Sequence, residues 1–274
     1  MTDQEEDQVA TRRGDFGAAR RGDHLAARRG DHLAARRGDL AAALARLRRR
    51  ITAACIAAGR EPGQVRLLPV TKTFPARDVA LLADLGVLDV AEARDVEAVA
   101  KMTKVSALRP AVGVRWHMVG RLQRNKSRSV ARWAVQVQSV DSLRLVEALD
   151  GAARAARHGG HRDTDLGVLL QASLDDDPAR GGCPLPELEE LADRVAAAPH
   201  LRLEGVMGVA PLGVDPEAVF AKLAAAAQRL RRSHPSAVEL SAGMSGDFEQ
   251  AIAHGSTCVR VGTGLLGDRP LTSR

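Results

Sequence analysis

Short apolar runs alternate with longer amphipathic stretches over most of the chain. The runs are rich in valine and leucine and carry few charges, which is typical of buried parallel strands. The stretches between them place apolar residues three or four positions apart, which indicates helices with one buried face. The runs predict eight strands, at residues 66–71, 87–91, 114–119, 135–140, 166–172, 203–209, 237–240 and 258–261. This alternation is typical of parallel βα units.

Seven helices are predicted between or after these strands, and one more before them. The seven lie at residues 76–85, 94–102, 126–133, 142–158, 186–198, 216–234 and 247–254. The additional helix covers residues 40–58, with Asp39 as its N-cap and Gly59 as its stop. The pattern predicts an α/β fold, a single (β/α)8 TIM-type barrel over residues 39–274 with an extra N-terminal helix. A doubly wound open sheet is the alternative, but no G-x-G-x-x-G follows the first strand.

An arginine-rich repeat of eight residues precedes the barrel, at residues 12–43. A period of eight matches neither a helix nor a coiled coil, and each copy contains a glycine that weakens a helix. We therefore predict that residues 1–38 form a disordered extension, either mobile or a fraying helix. An expanded repeat at a tolerant terminus explains it most simply. A basic arm for nucleic acid or anionic membrane, or an adhesion signal through Arg-Gly-Asp, remains an alternative.

The composition limits the classes of partner. The formal net charge is +6, but residues 1–50 hold twelve arginines against eight acidic residues, a surplus of +4, so the remaining chain is nearly neutral. Aromatic residues make up 2% of the chain and tyrosine is absent, so nucleic acid would find few stacking partners. The three cysteines are too scattered for a disulfide framework or a metal site. With no long apolar run, we expect a cytoplasmic, soluble protein without a membrane partner.

Lys72 is the first candidate for chemistry. The chain holds 40 lysines and arginines, of which five are lysines, and Lys72 follows the first predicted strand directly. An arginine supplies charge, but its guanidinium stays protonated and cannot form an imine with an aldehyde. A lysine in this position therefore suggests covalent chemistry. The alternative is a strand-end charge that reaches solvent.

Two turns of small residues follow the last two strands, at 241–247 and 262–264. In TIM-type barrels the site lies at the carboxyl ends of the strands, and phosphate commonly binds to these two loops. Lys72 ends the first strand, beside the eighth, so the barrel would bring an amine next to a phosphate site. This predicts a pocket for pyridoxal 5′-phosphate, with Lys72 forming the internal aldimine. Arg260 is placed to meet the pyridine nitrogen, or is otherwise an exposed barrel residue.

Four motifs resemble the pyridoxal phosphate homeostasis proteins, single-domain relatives of the alanine racemase barrel. They are residues 70–75 (VTKTFP), 116–126 (WHMVGRLQRNK), 241–247 (SAGMSGD) and 255–267 (GSTCVRVGTGLLG). The resemblance covers residues 40–270. It implies that the Lys72 amine holds the cofactor as a Schiff base and that Arg260 faces the ring nitrogen. It also implies phosphate binding by the two turns, that is by Gly243, Met244, Ser245, Gly262 and Thr263.

The resemblance further implies a monomer that carries and buffers pyridoxal phosphate inside the cell, with no established turnover. Apo-enzymes that depend on this cofactor are the candidate partners. The alternative is an amino-acid racemase. Alanine racemases pair the lysine with a tyrosine from a second domain, whereas this chain has no tyrosine and ends at Arg274. We therefore expect no enzyme of the usual two-base kind, unless His117 replaces the tyrosine. His117 could equally be a core residue, and Lys126 a solvated helix charge.

Two segments depart from the family pattern. Where the family has Phe-Gly-Glu-Asn after the second strand, residues 90–93 read Val-Ala-Glu-Ala. The family asparagine lines the cofactor pocket, so Ala93 removes a polar partner, and we expect Ala93→Asn to tighten cofactor retention. The Lys/Arg-Ser-Gly segment after the fifth strand is also altered, to Ala179-Arg180-Gly181-Gly182-Cys183.

Overall fold

The protein was studied as a computed structural model, which describes residues 3–175 and 181–268, with side chains from residue 30 onward. The chain divides into two compact units, residues 1–42 and 43–274. Helix α1 spans Asp3–Ala57 and ends within one residue of the predicted position. It begins earlier than predicted. Each glycine of the repeat weakens a helix by about 1 kcal/mol relative to alanine, but the many arginines and alanines around it favour a helix more strongly. The mobility of residues 1–38 stays a prediction.

Eight parallel strands in the described residues form one sheet, with the order β1-β8-β7-β6-β5-β4-β3-β2. Each overlaps a predicted strand and differs from it by at most about two residues at either end. Their bounds are β1 Arg66–Pro69, β2 Asp89–Glu92, β3 Arg115–Met118, β4 Ala134–Val140, β5 Leu166–Gln171, β6 Leu201–Met207, β7 Glu239–Ser241 and β8 Cys258–Val261.

The two edge strands of this sheet, β1 and β2, lie side by side and close the barrel. On one side β1 pairs with β8 from Arg66↔Cys258 to Pro69↔Val261. On the other side the contact with β2 is a single bridge, Val70↔Ala91, where Thr71 N donates to Ala91 O at 2.9 Å. The predicted (β/α)8 barrel is confirmed. We call the weak junction between β1 and β2 the barrel seam, and Lys72 lies two residues after its bridge residue Val70.

Helices surround the sheet in the described part of the chain. They are α2 Ala76–Asp84, α3 Asp95–Leu108, α4 Ser127–Trp133, α5 Leu143–His158, α6 Leu188–Ala196, α7 Pro216–Ser233, α8 Phe248–Ala253 and α9 Thr263–Leu266, with short 3-10 turns at Pro62–Gln64, Arg124–Lys126 and Leu185–Glu187. Helix α3 continues past the predicted end and stops before Arg109, the residue that precedes Pro110 and is therefore biased away from helix. The sequence did not predict α9. No helix among the described residues is long and apolar enough to cross a membrane.

The apolar core lies between the outer faces of the strands and the helices. Val168 on β5, Leu149 on α5 and Leu223 on α7 are fully buried members of one cluster. The interior of the barrel is different, because Gln138, Ser241 and Arg260 are buried polar side chains there. These side chains need partners inside the barrel, and their hydrogen bonds lead to the candidate site.

Candidate functional site

A cavity of about 440 Å³ opens at the carboxyl ends of the strands. We call it the Lys72 cavity. Six of the seven predicted site residues line it, namely Lys72, Met244, Ser245, Arg260, Gly262 and Thr263. The seventh, Gly243, is the backbone neighbour of Met244. The sequence did not single out its other lining residues, Val70, Phe74, Val119, Met207, Val209 and Gly246. Most of these are apolar residues at strand ends, which nothing in the sequence distinguishes from core residues.

Lys72 lies in a tight turn. Phe74 N donates to Thr71 O at 3.1 Å, so Lys72 and Thr73 occupy the two central positions. Among the described non-glycine residues, Thr73 alone has a positive φ, at 69°. A β-branched residue adopts this conformation at a cost of about 1–3 kcal/mol, and such strain persists only where the surroundings enforce it. The turn therefore places the Lys72 side chain at the cavity in a backbone conformation that other groups must hold.

Three buried groups hold the start of that turn. Lys101 Nζ donates to Thr71 O and to Glu92 Oε1, each at 2.6 Å. Thr71 Oγ1 donates to the same Glu92 oxygen at 2.6 Å. The second oxygen, Glu92 Oε2, is buried and has no hydrogen-bond partner among the described residues. Sequence reasoning missed Lys101, although it is one of only five lysines.

The two predicted phosphate turns come together and leave donors free. Gly264 N donates to Ser245 Oγ at 3.3 Å, which links one turn to the other. Met244 N is taken by Asp247 Oδ1 at 2.6 Å. Within the described residues, the N–H groups of Ser245, Gly246 and Thr263 donate to no other group. Three unpaired backbone donors on the wall of one cavity suit the oxygens of a phosphate group.

Gly243 gives the first turn its shape. Its φ is +91°, and a Cβ there would lie 2.7 Å from both Ala251 Cβ and Phe248 Cα. Its carbonyl accepts a hydrogen bond from Arg260 N at 2.9 Å. Any larger residue would push the turn away from α8, so glycine is required at this position.

Arg260 is 4% exposed, so the alternative of an exposed barrel residue was wrong. Its Nη1 donates to Ser241 Oγ at 2.7 Å and its Nη2 to Gly208 O at 2.8 Å. Burial lowers the pKa of Arg260, against nearby groups that raise it, of which Cys258 is the largest. Its two described side-chain bonds leave further guanidinium N–H groups for a ligand in the cavity.

A polar chain continues from Arg260 through the barrel interior. Ser241 Oγ donates to Gln138 Oε1 at 2.8 Å, and Gln138 Nε2 donates to Gln136 Oε1 at 2.8 Å. Gln136 Nε2 then donates to Glu204 Oε2 and Glu239 Oε2, at 2.6 and 2.8 Å. The chain connects the Lys72 cavity with charged residues at the amino ends of the strands. It fixes the orientation of Ser241 and thereby of the Arg260 guanidinium.

His117 lies at the far end of this chain and does not line the Lys72 cavity. Its Nδ1 is 3.1 Å from Gln136 Oε1, and its Nε2 is 2.9 Å from Asp89 Oδ1. Burial alone would raise the pKa of Asp89, but hydrogen bonds from His117 and Arg115 outweigh it and hold the pKa well below its usual range. Of the two interpretations of His117, the structure supports the core residue.

A second, larger opening of about 1380 Å³ lies on the same end of the barrel. We call it the Arg121 cleft. Ala93 lines this cleft and does not line the Lys72 cavity. A Cβ on Gly120 would lie 2.1 Å from Ala93 O, so the two loops are in close contact. The effect expected of Ala93→Asn on cofactor retention stays a prediction. Ala179 and Arg180 lie outside the described residues.

Comparison with known proteins places this chain in a family. The family described as alanine racemase, N-terminal domain, matches residues 43–270. A pyridoxal phosphate homeostasis protein of Mycobacterium tuberculosis is 49% identical over 243 residues, which cover 85% of this chain and 94% of that protein. The chain belongs to the pyridoxal phosphate homeostasis proteins, within the alanine racemase N-terminal domain family. The resemblance predicted from the four motifs is confirmed.

Solved structures agree with this membership. PipY of Synechococcus elongatus PCC7942, with pyridoxal phosphate bound, is 31% identical, has a TM-score of 0.71 and covers 83% of this chain and 100% of its own. An alanine racemase from Corynebacterium glutamicum is 15% identical, with a TM-score of 0.61, over 87% of this chain and 62% of its own. The likeness to the racemase shows a shared barrel fold and nothing of activity.

Proposed function

We propose that the protein binds pyridoxal 5′-phosphate on Lys72 and serves in its homeostasis, as a carrier and buffer of the cofactor. The observation that carries this proposal is the convergence, in one cavity, of an exposed lysine amine, three unpaired backbone N–H groups and a buried arginine. Membership of a family whose members are named for pyridoxal phosphate homeostasis supports it, and so does the cofactor bound to PipY.

Each part of the cavity has a task in this proposal. Lys72 Nζ attacks the aldehyde carbon, and water leaves as the carbon–nitrogen double bond forms. The backbone N–H groups of Ser245, Gly246 and Thr263 hold the phosphate oxygens, while Gly243 and Gly262 allow the turns to approach it closely. Arg260 donates a hydrogen bond to the ring nitrogen from a guanidinium that the polar chain holds in place. When bound, the cofactor supplies a reactive aldehyde on an electron-withdrawing ring.

The residues that line the cavity favour binding of the cofactor over catalysis on a substrate. Among the described residues that line it, Lys72 and Arg260 are the only ionisable side chains. A racemase needs a second base on the opposite face of the substrate, and an arginine stays protonated and cannot serve as that base. We therefore propose no substrate turnover for this chain. An amino-acid racemase remains the second candidate only because the barrel is shared.

The proposal also covers the compartment in which the protein works, its oligomeric state and the proteins that receive the cofactor. Cys55, Cys183 and Cys258 are free and buried, which suits the reducing cytoplasm. We propose that the carrier works there as a monomer and that apo-enzymes which need the cofactor receive it. Sedimentation of the purified chain at the mass of a dimer would contradict the monomer.

Lys72→Ala tests the assignment directly. The wild-type chain mixed with pyridoxal phosphate should develop an absorption band of the lysine-bound cofactor, and borohydride should fix the cofactor to the peptide that contains Lys72, detected by mass spectrometry. Lys72→Ala should lose both signals. Lys222→Ala, which removes an exposed lysine on α7, should keep them. An unchanged band in Lys72→Ala would refute the assignment, and racemisation of alanine by the wild type would favour the second candidate.

A further inference from the structure

The segment Gln123-Arg124-Asn125-Lys126 has no task in the Lys72 cavity, yet all four residues line the Arg121 cleft. The cleft and the cavity are neighbours on the barrel rim. Met118, the last residue of β3, lines the cleft, and the next residue, Val119, lines the cavity. Whatever binds in the cleft would therefore lie beside the proposed cofactor site.

The cleft carries a net positive charge. Arg121, Arg124, Lys126 and Arg144 line it, and within residues 30–175 and 181–268 none of the four forms an ion pair or a side-chain hydrogen bond. Arg94, a fifth cation of the cleft, is paired with Glu97 at 2.8 Å. Four free cations, from one turn and one helix, converge on one concave surface, where their combined field attracts anions more strongly than scattered charges would.

The acidic residues of the cleft, Asp95, Glu97 and Asp141, offset only part of this positive charge. Asp95 accepts hydrogen bonds from Ser129 Oγ at 2.8 Å and from Trp133 Nε1 at 3.0 Å. Asp141 Oδ2 lies 3.4 Å from Gly182 N. Glu97 Oε1 accepts a hydrogen bond from Arg94 Nη1 at 2.8 Å. None of these carboxylates forms an ion pair with the four cations in the described residues, and five cationic side chains against three carboxylates, Arg94 included, leave the lining a formal charge of +2.

Two long helices also begin at this cleft. The N-termini of α3, 14 residues long, and of α5, 16 residues long, lie there without a side-chain cap. Uncapped N-terminal N–H groups and the positive ends of the helix dipoles add to the attraction that the side chains exert. Alone they would specify nothing, but they act in the same direction as the four cations.

The lining also contains apolar and neutral groups, which indicates the kind of anion. Val96 lines the cleft and is 68% exposed, and the exposed amides of Gln123 and Asn125 could meet peptide groups. No aromatic side chain is among the described lining residues, so bases of nucleic acid would find no stacking partner. The cleft is about 1380 Å³ against 440 Å³ for the Lys72 cavity, which is spacious for a single phosphate.

We infer that the Arg121 cleft docks an acidic segment of another protein, through its carboxylates and at least one apolar side chain. The biological use of this contact rests on the proposed carrier function, because a protein docked there would be held next to the cofactor on Lys72. The recognition itself does not depend on the cofactor. Charge complementarity sets the affinity and the rate of encounter, and both fall as salt is added.

The test uses the full chain and a short, fluorescein-labelled peptide rich in glutamate and containing leucine. Fluorescence anisotropy should detect binding by the wild type, and the same peptide with glutamine in place of glutamate should not bind. The double variant Arg121→Glu/Arg144→Glu should weaken binding at least about tenfold. The milder Arg121→Gln/Arg144→Gln should weaken it less. Retention of pyridoxal phosphate by both double variants reports that they fold.

A matched control separates the cleft from general charge. Arg154 lies on the same helix as Arg144, and Arg232 lies on α7; both are exposed and neither lines the cleft. Arg154→Glu/Arg232→Glu makes the same change in net charge and should bind the peptide as the wild type does. Equal losses in the two charge-reversed variants would overturn the inference. Unchanged binding in Arg121→Glu/Arg144→Glu would also overturn it, because the peptide would then bind to another surface of the chain.

Further measurements decide the class of ligand and the link to the cofactor. Displacement of the peptide by millimolar inorganic phosphate, or tighter binding of a single-stranded oligonucleotide, would overturn the assignment to an acidic protein segment. Lys72→Ala should keep the wild-type affinity for the peptide while losing the cofactor. If Lys72→Ala keeps the cofactor band, the carrier proposal fails although the docking inference stands. If the wild type shows no peptide binding, the docking inference fails alone.

Discussion

Lys101 Nζ donates a hydrogen bond to the carbonyl oxygen of Thr71, the residue before Lys72, at 2.6 Å. Lys101 belongs to α3, so this bond fixes the strained turn at Lys72 to a helix on the far side of the barrel seam. The seam itself offers little support, because β1 and β2 share one bridge. The buried pair of Lys101 with Glu92 therefore supplies much of what holds the Lys72 backbone in place.

The first prediction is that Lys101→Met both destabilises the fold and weakens cofactor binding. It leaves Glu92 buried with neither oxygen paired to a cation, which typically costs about 3–5 kcal/mol. The loss should appear as a lower free energy of unfolding in urea and as a weaker absorption band at limiting pyridoxal phosphate. Lys104→Met removes an exposed lysine from the same helix and should change neither. Wild-type cofactor affinity in a folded Lys101→Met would show that the turn is held by other contacts.

The second prediction concerns two glycines in one turn. Gly243→Ala introduces a Cβ 2.7 Å from Phe248 Cα at a φ of +91°, so the turn must move and the N–H groups of Ser245 and Gly246 move with it. Gly246→Ala meets nothing within 4 Å. We expect Gly243→Ala to weaken cofactor binding at least about tenfold, about 1.4 kcal/mol, and Gly246→Ala to change it little. Titration of the absorption band measures both, and equal effects would argue against the turn as the phosphate site.

Most of the barrel could be predicted because its strands are short apolar runs, separated by helical stretches of ordinary length. The site followed from topology: Lys72 ends β1, and the turns after β7 and β8 lie beside it in any closed barrel. The identity of Arg260 as a buried residue did not follow. A cation in a run such as Cys258–Val261 can point to either face, and its partners on β7 and after β6 become neighbours only once the barrel closes.

The polar interior could not be predicted for a related reason. Gln136 and Gln138 alternate with valines on β4, a pattern that normally indicates a solvent-facing side. In this barrel Val137 packs in the apolar core beneath the helices, and Gln136 and Gln138 point inward, where they carry the chain of hydrogen bonds to Arg260. Lys101 was missed because 30 residues separate it from Thr71. An amphipathic pattern places a helix on the barrel but does not give its register against a strand end.

The third prediction concerns thiol reactivity. Burial raises the pKa of both Cys183 and Cys258 to about 11. At pH 8 about one thiol in a thousand would then be a thiolate, the form that reacts. Cys55 is also buried, and burial raises the pKa of its thiol. A chromogenic disulfide reagent should therefore find almost no reactive thiol in the folded protein and three in denaturant. Rapid reaction of any one cysteine in the folded state would contradict the described packing around it.

The fourth prediction concerns acid stability and the lower end of the polar chain. The pKa of Asp89 is held below its usual range, so this carboxylate stabilises the fold above the unfolded pKa, about 3.9. That stabilisation is lost as the pH falls through the lower, folded pKa, because the unfolded chain binds the proton first. Asp89→Asn should lower the unfolding free energy at pH 7 by about 1–3 kcal/mol and flatten its decline below about pH 4. The exposed Asp163→Asn should do neither. Urea titrations at several pH values measure both effects, and an equally steep decline in Asp89→Asn would assign the acid sensitivity to other carboxylates.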